Sequence, residues 1–159
     1  MRKIILFLLF SLAVTLSSSF TCEKTEESGN VNYLSYGTSF GECLGYCVRE
    51  IVVSGGATFT KSGWLVDETL PDSSCSIQFI MDPLPGYLED IDLDEFLAME
   101  EIIGCPDCAD GGAEWLELGF EDQIKRVIFE YMNEPEEFED VIPELRILMD
   151  TFNDCRSSR

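Results

Sequence analysis

Seven cysteines behind a short apolar leader constrain this chain more than any other feature. Disulfides persist only in an oxidising compartment, so the question of export comes first. Arg2 and Lys3 make a positive patch, and residues 4–16 form a run of 13 almost wholly apolar residues interrupted only by Ser11 and Thr15. Ser17, Ser18 and Ser19 then supply small residues before a cut. That is the layout of a signal peptide. The run falls short of the roughly 20 residues that a membrane-spanning helix needs. A helix of the folded domain that is apolar all round would need burial on every side, and the residues that follow, 23–30, are polar. Residues 1–21 are therefore expected to be a signal peptide.

The cut has two readings. Ser17-Ser18-Ser19 before Phe20 suits an ordinary signal peptidase. Ser19-Phe20-Thr21-Cys22 resembles a lipoprotein box, in which the cysteine becomes the first mature residue and carries acyl chains, although Thr21 is bulkier than the usual Gly, Ala or Ser. Cysteine arithmetic separates them. An odd number leaves one thiol unpaired in an exported chain. Lipidation of Cys22 leaves six, Cys43, Cys47, Cys75, Cys105, Cys108 and Cys155, which can all pair. The expectation is a lipid on Cys22, a flexible tether over 22–30 and a single domain over 31–159. More than one acyl chain makes such an anchor stable.

The 138 residues from Cys22 suffice for one domain with its own core. Without Arg2 and Lys3 they carry 8 basic residues against 31 acidic ones, a net charge of −23. Such a surface repels nucleic acid and anionic headgroups. It attracts cations or a basic protein partner, and solubility alone also favours it. Histidine is absent. That removes the commonest general base and the commonest zinc ligand, and with them any Ser-His-Asp or Cys-His machine within the chain. Nothing singles out a catalytic pair among the 31 carboxylates, and no cofactor is expected.

Residues 31–36 read as a strand and 37–45 as a turn-rich loop. Residues 48–53 and 57–61 flank Ser54-Gly55-Gly56, the pattern of a hairpin. Residues 76–81 read as another strand. A helix is expected over 92–103, opened by a capping box of Asp92 and Glu95 and closed by Gly104 and Pro106. Residues 113–120 and 124–131 make a second hairpin. Phe138, Val141, Ile142, Leu145, Leu148, Met149 and Phe152 recur at three- and four-residue steps. With Pro143 confined to the first turn, the last helix is expected over 142–154. The sum is a disulfide-bearing α+β domain, an antiparallel sheet built from hairpins with helices packed on one face.

Cys43-x-x-x-Cys47 and Cys105-Pro106-Asp107-Cys108 admit three chemistries. Structural disulfides lead, because the compartment is oxidising. A thiol–disulfide enzyme fits Cys-x-x-Cys, but there the first cysteine opens a helix after a strand, and here the motif follows the expected helix. A four-thiolate zinc site from Cys43, Cys47, Cys105 and Cys108 has the usual spacing, and oxidation competes for its ligands. Asp90, Asp92, Asp94, Leu97 and Glu101 approach an EF-hand loop, but Glu95 stands where glycine is required, so the reading is a capped acidic helix and no metal. The acidic run Glu134, Glu136, Glu137, Glu139 and Asp140 precedes the last helix, where negative charge suits the dipole. Trp64 and Trp115 read as core or sheet-face residues.

Two segments, Tyr36-Gly-Thr-Ser-Phe-Gly-Glu-Cys43-Leu-Gly-Tyr-Cys47 and Gly104-Cys-Pro-Asp-Cys-Ala-Asp-Gly-Gly-Ala-Glu-Trp115, resemble a group of uncharacterised exported bacterial proteins, many of them lipoproteins. The resemblance implies location and domain type, and carries over no catalytic residue. Cys75 and Cys155 lie outside both motifs, which suggests a Cys75–Cys155 bridge as a local addition. The functional expectation is a non-enzymatic, lipid-anchored module that binds a protein or ligand outside the cytoplasm. The alternative is a thiol–disulfide or metal-dependent envelope enzyme using the cysteine-rich segments.

Overall fold

The computed structural model describes residues 30–63 and 73–152. The signal peptide expected over 1–21, Cys22, the tether up to residue 29, Trp64 and Cys155 lie outside the described residues, and with them the expected Cys22 lipid and the far end of the suggested Cys75–Cys155 bridge; the last helix, expected over 142–154, runs from Val141 to Thr151.

Six strands form one antiparallel sheet in the order β4-β3-β2-β1-β5-β6. They are β1 (Tyr33–Ser39), β2 (Tyr46–Val53), β3 (Gly56–Gly63), β4 (Ser73–Gln78), β5 (Ala113–Gly119) and β6 (Ile124–Glu130). Alternation decides the faces. Leu34, Tyr36, Ile51, Val53, Ala57, Phe59, Leu116, Leu118, Val127 and Phe129 are buried and occupy one face. Helices α1 (Leu84–Leu88), α2 (Leu93–Ala98) and α3 (Val141–Thr151) contribute Leu84, Phe96, Val141, Ile142, Leu145 and Met149 to the same core. The domain is thus the α+β, disulfide-bearing fold expected, with its hydrophobic core between sheet and helices. Among the described residues no helix is long and apolar enough to cross a membrane.

Both expected hairpins are present. Gly55 turns the first with φ of +66°, a conformation that suits glycine. Several boundaries differ from expectation. Residues 37–39 extend β1 rather than opening the loop. They can do so because Gly37 lacks a Cβ and the Trp115 ring from β5 lies against it. β4 begins three residues earlier than expected and stops at Gln78. Short α1 was not anticipated; it opens on Pro83 and Pro85, both compatible with a first turn. The expected helix over 92–103 is only α2. Its cap is as expected, the Asp92 carboxylate accepting from the Glu95 N–H at 3.0 Å. Met99 then turns extended, and residues 101–103 run parallel to β6, with the Ile103 N–H donating to the Ile128 carbonyl and the Ile128 N–H to the Glu101 carbonyl, each at 2.9 Å. The open edge of β6 outcompetes continued helix. Its unpaired N–H and C=O groups are satisfied by this segment.

Candidate functional site

β1 and β6 end, and β2 and β5 begin, at one end of the sheet. Three of the described connections meet there: 40–45, 104–112 and 131–140. The first two are each closed by a disulfide, Cys43–Cys47 and Cys105–Cys108. These are the two cysteine motifs of the sequence, each paired within itself. Their sulfurs are consumed by the bridges and do not form the four-thiolate zinc set. The loops also touch each other. The Gly41 N–H donates to Asp107 Oδ1 at 3.1 Å, and the Cys105 N–H donates to Glu130 Oε1 at 3.0 Å.

Four non-glycine residues of the described chain have positive φ: Asp107 (59°), Ala109 (53°), Asp110 (59°) and Met132 (61°). All four lie in these loops. Each such conformation is uncommon and costs on the order of 1–3 kcal/mol, which is tolerated where surrounding structure holds it. Gly112, at +83°, packs against the Phe40 ring, and its carbonyl accepts from the N–H groups of Asp107 and Tyr131. Phe40 in turn meets Tyr131 edge-on at 4.9 Å between centroids.

Beneath this rim is a cleft of about 270 Å³. Phe40, Tyr131, Met132 and Met149 form its apolar walls, and Tyr36, Thr38, Arg49, Glu114, Arg146 and Asp150 its polar lining. Its floor is an ionic network. Glu114, on β5, is completely buried. Arg146, on α3, donates to Glu114 through Nε at 3.0 Å and Nη2 at 2.5 Å, and to Glu134 through Nη1 at 3.2 Å and Nη2 at 2.6 Å. The Tyr36 hydroxyl donates to Glu114 Oε1 at 2.9 Å. Two-pronged Arg–carboxylate bonds of this kind are geometrically specific as well as strong.

The network perturbs its members. Burial works against the Arg146 charge, but the hydrogen bonds to Glu114 and Glu134 outweigh it, so its pKa is raised. Burial, then the Glu114 charge, pushes the Tyr36 phenol up. Hydrogen bonding to Arg146 holds Glu134 below the usual carboxylate value. A smaller network sits on the helix-free face. The Tyr33 hydroxyl donates to Glu117 at 2.8 Å, Arg126 Nε donates to the same carboxylate at 2.7 Å, and the Arg126 guanidinium lies over the Trp115 ring at 5.1 Å. Burial, together with the hydrogen bond to Glu117, raises Tyr33 to about 12.

These shifts set a pH dependence. A lowered carboxylate pKa contributes stability that is present above about 4.5 and lost as pH falls through the folded value. Raised phenols contribute stability that is present below 10 and lost as pH rises, for Tyr33 through about 12. Glu134→Gln is therefore expected to destabilise the domain at neutral pH, with the difference from wild type vanishing in acid. Urea unfolding of both chains across pH checks this. At roughly pH 11, Tyr33 and Tyr36 should stay protonated in the folded chain and ionise on unfolding. A phenolate absorbance titration in which all five tyrosines ionise near their ordinary value while the chain remains folded would refute it.

Of the residues singled out in sequence, Cys43, Cys47, Cys105 and Cys108 close the loops of the rim, and Glu134 of the acidic run joins the floor by bonding Arg146. Asp92 does not; its carboxylate caps α2. Cys75 lies on β4, away from the rim. Trp115 is buried against Gly37 on the sheet face. Tyr36, Glu114 and Arg146 were not singled out. Two signals for them exist. Glu114 occupies an inward register with Leu116 and Leu118, where strand alternation demands an apolar residue. Arg146 adjoins the apolar stripe of α3 and is the only basic residue between Arg126 and Arg156. Chemically, the floor is occupied: both Glu114 oxygens are bonded, by Arg146 and by the Tyr36 hydroxyl, so it holds shape and charge.

No family model matches this chain, and no curated protein is significantly similar to it.

Proposed function

We propose that the chain is a lipid-anchored, non-catalytic binding module of the bacterial cell envelope, exported by its leader, held by Cys22, and engaging a basic protein partner at the disulfide-framed end. The observation that carries this reading is the rim itself. Leu44, at the tip of the Cys43–Cys47 loop, is 93% exposed, on loops that the two bridges and the Gly41–Asp107 bond hold in place; Met132, 60% exposed, stands on the connection held by the Tyr131 N–H to the Gly112 carbonyl and by Arg146 to Glu134. Exposed apolar side chains on a braced, partly strained rim suit contact rather than packing. Acidic Glu42, Asp107, Asp110 and Glu134 belong to the same loops, and Arg146 is neutralised by its two carboxylates. A partner presenting lysines or arginines beside apolar groups complements that surface.

The test is capture from envelope extracts by wild type and by a Leu44→Asp/Met132→Asp variant, at low and physiological salt. The reading expects a basic protein retained by wild type, more weakly at higher salt, and lost by the variant while thermal stability is kept. Equal capture by both chains, or none at either salt, rejects it.

A second reading, a thiol–disulfide enzyme, draws on one observation: Cys105 and Cys108 are both exposed, whereas Cys47 is buried. Access governs exchange. Under graded dithiol reductant, Cys105–Cys108 is expected to open before Cys43–Cys47, as alkylation followed by peptide mass mapping would record. Reduction of a model disulfide substrate by the opened pair would move the enzyme reading to the front. Its failure to do so leaves the bridge structural.

A further inference from the structure

The most exposed adjacent apolar pair among the described residues lies at the other end of the sheet. Ile80 is fully exposed and Met81 is 81% exposed, in the connection between β4 and α1. Neither side chain packs on the core, and the connection carrying them is nevertheless braced. Asp82 Oδ1 accepts from the Gly55 N–H at 3.1 Å and the Leu84 N–H at 3.0 Å, pinning the segment to the β2–β3 turn. Ser54 of that turn donates to the Asn32 carbonyl at 3.1 Å. Asn30 and Val31 line one cavity with Asp82 and Leu84. The tip therefore stands beside the point where the chain enters β1. β1 runs from there to the disulfide-framed end, seven residues or roughly 20 Å away.

The length of chain preceding that point bounds what the tip can meet. Eight residues, 23–30, separate Cys22 from the domain. Fully extended they reach no more than roughly 30 Å. A lipid on Cys22 keeps this end next to the bilayer at a high effective concentration, so a contact too weak to bind alone becomes significant. We propose that Ile80 and Met81 insert into the bilayer surface as a second, weak contact, and that this turns the disulfide-framed end away from the membrane. The inference rests on the lipid-anchor reading. The lipid chemistry is zwitterionic: Asp82 adjoins the tip, Glu89 lines the cavity beside it, and Glu23, Glu26 and Glu27 lie in the tether, so an anionic surface opposes insertion.

The test uses the full acylated chain in phosphatidylcholine vesicles, with and without brominated acyl chains as fluorescence quenchers. Met81→Trp and Leu44→Trp place probes at the two ends over the shared background of Trp64 and Trp115. The proposal expects Met81→Trp to blue-shift on vesicles and to show roughly two-fold more quenching than Leu44→Trp. Adding Ile80→Asp, or replacing part of the lipid with phosphatidylserine, should reduce that quenching. Equal quenching of the two probes overturns the proposal. Flotation reports the anchor separately: a chain that does not float with the vesicles refutes the lipid reading. The same probes on the mature chain, held to nickel-chelating phosphatidylcholine vesicles by an N-terminal hexahistidine tag, then decide the tip alone by the same comparison.

Discussion

Arg146→Met is expected to cost the domain roughly 3–5 kcal/mol, the usual penalty for leaving a buried charge without its partner. Glu114 is the charge concerned. It is completely buried and is bonded by Arg146 and by the Tyr36 hydroxyl. Glu134, partly exposed, can return to water. The loss is measured as the fall in urea midpoint at neutral pH. A compensating set makes the argument specific. Replacing Glu114 by Leu and Tyr36 by Phe in the same chain removes the stranded carboxylate and its donor, so most of the lost stability should return, as buried ion pairs replaced by apolar groups often allow. A loss below about 1 kcal/mol for Arg146→Met, or no recovery in the triple variant, would show that Glu114 does not depend on this partner. The triple variant also separates the network's roles. Recovered stability with lost partner capture would place the network in recognition, and recovery of both would leave it as a brace.

Phe138→Ala is expected to cost about 3–5 kcal/mol, the range for truncating a buried ring and leaving a cavity. Phe138 is almost fully buried, and its ring lies 5.9 Å from both Phe96 and Phe129. It thereby ties α2 and β6 to the short 3-10 turn Glu136–Phe138 that precedes α3. Against a total stability of 5–15 kcal/mol for a typical domain, that is a large fraction. The consequence reaches the cleft. Met132 and Glu134 lie on the connection that Phe138 anchors, so partner capture should weaken beyond what Phe138→Leu produces. Phe138→Leu keeps apolar volume and should cost less. Equal losses for the two variants, in stability and in capture, would show that the aromatic cluster does not position the rim.

The elements legible in the chain are those whose burial is written locally. Alternating Val127 and Phe129, and the three- and four-residue recurrence of Ile142, Leu145 and Met149, state which side of each element is buried. The Asp92–Glu95 spacing gave the start of α2 for the same reason, since a cap is satisfied within one turn. Where α2 stops was not legible. Residues 99–103 continue a helical pattern, but the Glu101 carbonyl and the Ile103 N–H bind Ile128, which is distant in sequence. Nor was β1's extension through Gly37, since the ring against it comes from Trp115.

The apolar N-terminal run, the odd cysteine count, the absence of histidine and the acid excess are properties of the sequence alone, and the lack of histidine narrows the chemistry without any fold. The two cysteine motifs were equally visible, and short spacing made pairing within each available. Tertiary structure decided the rest. Glu114 and Arg146 are 32 residues apart and read singly as an acid in a strand and a base on a helix. Only packing α3 across β1 and β5 desolvates them together, and only then does the attraction of one for the other outweigh the cost of burying either. The candidate site exists because that pair is closed beneath two braced loops, and no local pattern in the chain encodes that meeting.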